Sequence, residues 1–119
     1  MKKSIIGIVV VSFLVIAGVG LAAKNEPLYQ TGDVVFHTSR TNLAIVTSAA
    51  TKSPLTHVGM IIVKKNKPYV IEAHGAIKIR SLSKFTNRGI GKRFVVLRLK
   101  NKLNKKQQQS LTRESYKHI

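Results

Sequence analysis

The stretch from Ser53 to Ala73 leaves the backbone few choices. Pro54 bars a helix from running into it. His57 to Val63 is then uninterrupted strand-favouring sequence, rich in Val and Ile. Lys64 to Lys67 is polar and contains Asn66, a residue that tolerates the left-handed conformation of a hairpin turn. Tyr69 to Ala73 resumes the strand. The stretch reads as a β-hairpin that opens with His57 and returns with Glu72 near the same end.

Register decides whether those two side chains meet. A two-residue loop at Lys65 and Asn66 pairs Lys64 with Lys67 and sets Gly59 opposite Glu72. His57 and Glu72 are then diagonal neighbours on one face, roughly 7–8 Å apart at the backbone, which long side chains span. Gly59 leaves room between them. A one-residue slip would put the pair on opposite faces. A histidine oriented by a carboxylate is half of a nucleophile-activating triad. The plainer account of the pair alone is a half-buried hairpin with a His and a Glu at its wet end.

Charge and cysteine content narrow the chemistry. The 119 residues carry 21 basic and 4 acidic side chains, a formal net charge of +17. Such a surplus attracts polyanions, among them anionic lipid and envelope polymers. There is no cysteine, which excludes disulfides, thiolate metal sites and a cysteine nucleophile within this sequence. Aromatic residues do not interleave with the basic clusters, and there is no Gly-rich phosphate cradle, so specific nucleic-acid binding is not expected.

Met1 to Ala23 reads as a targeting segment. Lys2 and Lys3 lead an apolar run, Ile5 to Ala23, that ends in small residues acceptable to a signal peptidase. The run is also about long enough to anchor in a bilayer. Either reading puts the domain on the outer side of the inner membrane. Residues 24–30 form a polar lead, and 31–119 form the domain.

Within that domain, Val34 to Phe36 is expected as a short strand after the Thr31-Gly32-Asp33 turn. Thr41 or Asn42 caps a helix carrying Leu43, Val46 and Ala50 on one stripe. Its small residues suggest close packing on a sheet, and Ser53-Pro54 stops it. Gly75 to Ile79 alternates weakly and could extend the sheet. Ser81 to Gly91 is a loop or short helix, Arg93 to Leu99 a strand, and Asn101 to Ile119 a Lys- and Gln-rich helix. The sum is an α+β domain with a small, mostly antiparallel sheet and flanking helices.

Gly32-Asp33-Val34-Val35-Phe36, the Ala-rich helix ending at Ser53-Pro54, Thr56-His57-Val58-Gly59-Met60 and Tyr69-Val70-Ile71-Glu72-Ala73 together resemble the permuted papain-like amidases. That family is a circularly permuted branch of the NlpC/P60 cysteine hydrolases. The resemblance implies a partial, circularly permuted papain-like fold, with His57 as general base and Glu72 as the residue that orients it. It also implies a Cys nucleophile on a helix that follows both, so the domain is expected to be incomplete at its C-terminal side. The implied substrates are cell-wall peptides or other amide or acyl compounds outside the cytoplasm. Without the nucleophile, the chain alone is expected to be inactive by that mechanism. The alternative is a non-catalytic cationic domain that binds envelope polyanions or peptides.

Other chemistry is weaker. Thr56, Ser39 and Ser53 do not match the nucleophile position, and Thr56 reads better as a strand-edge residue bonding the backbone. His37, His57, His74 and His118 invite a metal reading, and His57, Glu72 and His74 share a face in the proposed register, but no metal-type spacing accompanies them. The reading assigns no metal and no cofactor.

Overall fold

The computed structural model describes residues 26–119. The targeting segment expected over Met1 to Ala23 lies outside them. No helix among the described residues is long and apolar enough to cross a membrane.

The hairpin forms as strands β2 (His57–Lys64) and β3 (Lys67–His74). Lys64 pairs with Lys67, and the register runs on to Met60 opposite Ile71. Lys65 and Asn66 both take positive φ, 50° and 62°, the conformation of the tight turn whose twist matches that of the flanking strands. β1 (Val34–His37) pairs antiparallel with the other edge of β2, with His37 directly opposite His57. Those two residues are far apart in sequence because helix α1 (Asn42–Thr51) intervenes.

The weak alternation after Gly75 does become a strand, β4 (Ala76–Ser81), folded tightly back on β3 so that Lys78 faces Glu72 and Arg80 faces Val70. β5 (Phe94–Leu97) pairs with β1. The five strands run β4-β3-β2-β1-β5, every neighbouring pair antiparallel. Between β4 and β5 the chain makes the short helix α2 (Leu82–Thr86) and a single 3-10 turn at Ile90–Lys92.

Strand alternation gives this sheet two faces. On one, Val35, Ile61 and Val70 pack with Leu82 and Phe85 of α2 as the central core. His37, His57, Gly59, Glu72 and His74 lie on that same face, toward the end where β2 begins and β3 finishes. α2 therefore forms both the lid of the core and the floor of the polar end.

Two other elements fix the frame. Asp33 is buried and accepts from Arg98 through both oxygens, Nε to Oδ1 and Nη2 to Oδ2 each at 2.9 Å. The Gln30 amide adds a third bond to this carboxylate. Helix α3 (Lys105–Tyr116) starts at Asn104, which shares reciprocal capping bonds with Gln107. It sits near the turn end of the hairpin, where Lys64 Nζ donates to the Tyr116 hydroxyl at 3.1 Å.

One packing expectation is corrected. α1 begins at its Thr41 cap as read, but it does not bury its apolar stripe: Leu43, Ile45 and Val46 are 73, 70 and 64 % exposed, and only Ala44 is buried. Its small residues do not carry it onto the sheet. It leaves β1 and returns to β2 at one end, stopped by Lys52 in the left-handed conformation (φ 53°).

Candidate functional site

Four acidic residues must serve a chain of +17, and two of them are buried, Asp33 and Glu72. An ionised carboxylate persists in such a place only when paired and hydrogen-bonded. Glu72 is paired heavily. Its Oε2 lies 2.5 Å from His57 Nε2. Oε1 accepts from Arg80 Nε at 2.8 Å and also from Arg88 Nη2. Arg88 Nη2 lies 2.5 Å from Oε2 as well. The carboxylate side chain has no exposed surface.

Burial pushes the Glu72 carboxyl up, but the Arg88 and His57 hydrogen bonds and charges outweigh it, so it titrates below the usual glutamate range. A carboxylate only accepts hydrogen bonds. In the neutral ring, His57 therefore carries its proton on Nε2 and keeps the lone pair on Nδ1. That is the tautomer of a general base held from behind by an anion.

Gly59 makes the approach possible. A Cβ there would stand 2.3 Å from Val70 Cγ1, 3.1 Å from the Ile71 carbonyl and 3.2 Å from Phe85. The diagonal from His57 to Glu72 crosses this vacant position. Below it, Phe85 stacks on the His57 ring at 5.6 Å and lies 5.7 Å under the Arg88 guanidinium.

His37 completes the floor. It is 1 % exposed, its ring is 5.2 Å from that of His57 and 4.6 Å from that of Phe85, and neither ring nitrogen has a side-chain hydrogen-bond partner among the described residues. Burial first, and the neighbouring His57 second, push its pKa down. Lowering its pKa favours the neutral ring beside His57.

Of the sequence-predicted residues, His57 and Glu72 come together. Thr56 behaves as a backbone-bonding edge residue: its Oγ1 accepts from the Ser39 amide at 2.8 Å. Ser53 Oγ accepts from the Leu55 amide. Neither serine nor threonine bonds His57. The arginines were not singled out by sequence reading. Their signal was available in principle, because a strand folded tightly at Gly75 places its 78 and 80 positions on the face of Glu72, and a buried Glu requires a counter-charge.

A metal does not fit this arrangement. Ligand atoms of His57, Glu72 and His74 come within 4.8 Å of one another, whereas tetrahedral zinc would hold them about 3.3 Å apart. More decisively, four contacts from His57, Arg80 and Arg88 occupy the Glu72 oxygens, which offer about four lone-pair positions. A dication would have to displace two guanidinium groups.

Comparison with known proteins gives concordant matches. Residues 28–119 match the family described as permuted papain-like amidase enzyme, YaeF/YiiX, C92 family. The uncharacterized protein YiiX of Escherichia coli K-12 is 33 % identical over 90 residues, which are 76 % of this chain and 45 % of that protein. The crystal structure of metalloprotein yiiX from Escherichia coli O157:H7 superposes with a TM-score of 0.72 at 34 % identity, over 76 % of this chain and 50 % of that one. The chain thus spans about half the length of the relatives it matches.

Proposed function

The chain belongs to the permuted papain-like amidases, and on that premise we propose that it supplies the base-and-orienter half of an exported acyl-hydrolase site. The observation that carries the reading is the 2.5 Å contact of His57 Nε2 with a Glu72 carboxylate that two arginines pin in place. His57 Nδ1 takes the proton of a thiol, and the thiolate attacks an amide or related acyl carbonyl. The imidazolium then returns that proton to the leaving amine. Glu72 holds the ring in the required tautomer throughout and offsets its charge when protonated.

This sequence has no cysteine, so the proposal requires a thiol that the sequence itself does not supply. Cell-wall peptides or comparable acyl compounds are the substrate class, and the outer side of the inner membrane is the location. One relative is titled a metalloprotein. The saturated Glu72 oxygens argue against a metal on this carboxylate, and no step is routed through one.

Thiolysis with an added thiol tests this. The chain is mixed with p-nitrophenyl acetate and 2-mercaptoethanol near neutral pH. His57→Ala is expected to remove roughly ten-fold or more of the protein-dependent rate, and Glu72→Gln most of it. A rate unchanged by His57→Ala would sink the proposal.

A second reading rests on the +17 charge alone: a cationic domain that binds an anionic envelope polymer without chemistry. Adsorption to anionic vesicles that disappears at high salt, with no His57-dependent thiolysis, would favour it.

A further inference from the structure

The polar end of the sheet holds more positive charge than its one carboxylate cancels. Arg80 and Arg88 both bond Glu72, which leaves one net positive charge beside His57. Lys78, exposed and directly opposite Glu72 on the neighbouring strand, adds another at the rim. The donors are not spent. Arg80 gives only Nε to Glu72, and Arg88 only Nη2. Arg88 Nε is buried with no partner among the described residues. Both side chains stay open to approach, 29 and 30 % exposed, and β4, which carries Arg80 and Lys78, is an edge strand with nothing paired on its outer side among the described residues.

We propose that Arg80 and Arg88, with Lys78 at the rim, form a carboxylate-binding subsite beside His57. The substrate would then carry an acidic group next to the acyl bond presented to that histidine. Guanidinium forks match a planar carboxylate. The same feature that shuts out a metal ion, two cations on one carboxylate, is what draws an anion. The statement about substrate rests on His57 being the base; the binding itself does not.

The test uses the full chain, isotope-labelled, at constant ionic strength. N-acetylglycine is titrated against its neutral isostere N-acetylglycinamide while the arginine Nε–H and histidine ring signals are followed. N-acetylglycine is expected to move the Arg80 and Arg88 signals saturably, and the glycinamide is not. Arg80→Gln should weaken that binding about ten-fold, or about 1.4 kcal/mol, and Lys105→Gln on the distant α3 should leave it unchanged. Equal shifts with both probes, or shifts spread over surface lysines without saturation at the arginines, would overturn the proposal. Should Arg80→Gln disturb the His57 ring signals in the free protein, Lys78→Gln decides: about a three-fold loss is expected, and no loss overturns it. Binding without His57-dependent thiolysis would defeat the proposed function and leave the subsite standing. Thiolysis without binding would do the reverse.

Discussion

Replacing Glu72 by Gln probes the centre of the fold and of the site at once. The side chain is fully buried and receives His57, Arg80 and Arg88. A neutral amide keeps the volume but turns an N–H toward one of those donors and removes the charge. Breaking a buried ion pair by altering one partner costs about 3–5 kcal/mol. The two guanidiniums are nearly a third exposed and recover part of their hydration, so about 3 kcal/mol is expected. At a urea slope of about 1–1.5 kcal/mol/M for a domain of this size, the midpoint falls by about 2–3 M at pH 7.

Acid should tell the same story. The folded Glu72 carboxyl titrates below its unfolded value, so its contribution is complete above about pH 4.5 and fades as pH falls through the folded value. Glu72→Gln should lack that part of the acid limb. A midpoint within about 0.5 M of wild type, or an unaltered acid limb, would refute the argument that this carboxylate is an ionised, load-sharing pair.

Other substitutions follow from the same geometry. His37→Phe removes two buried ring nitrogens that have no side-chain partner among the described residues and should stabilise the domain by about 1 kcal/mol at pH 7. Because the folded pKa of His37 is depressed, wild type should begin losing stability below about pH 6.5, where the unfolded chain takes up a proton, and His37→Phe should lose less there; chemical denaturation at pH 7.5 and 5.5 checks both. Gly59→Ala must displace Val70 and should cost about 1–3 kcal/mol by urea unfolding. Asp33→Asn leaves Arg98 without its bidentate partner and should cost about 3 kcal/mol in the same assay. Lys65→Asn with Asn66→Gly, at the two left-handed turn positions, should raise the thermal midpoint by a few degrees.

How much of this was legible varied with the range of the interaction. The β2–β3 hairpin and its register could be read because apolar residues on both sides frame two polar turn positions, and a slip would have inverted every side chain. The His57–Glu72 encounter followed from that register alone. The arginine clamp was harder to see, because Arg80 sits in a weakly alternating segment and Arg88 in a loop, with no spacing to mark either. His37 escaped notice as a neighbour of His57 because the β1–β2 pairing spans a helix, and pairing across an intervening element leaves no local periodicity. α1 misled for a physical reason: Leu43, Val46 and Ala50 make an apolar stripe whether or not a surface covers it, and here Leu43 and Val46 are exposed.

The most direct measurement is the protonation pattern of the His57 ring, read from nitrogen-resolved long-range NMR spectra at a pH where the ring is neutral. The account predicts a proton on Nε2, a bare Nδ1, and loss of that preference in Glu72→Ala. A ring protonated on Nδ1, or a pattern that does not change when Glu72 is removed, would contradict the claim that Glu72 prepares His57 to act as a base.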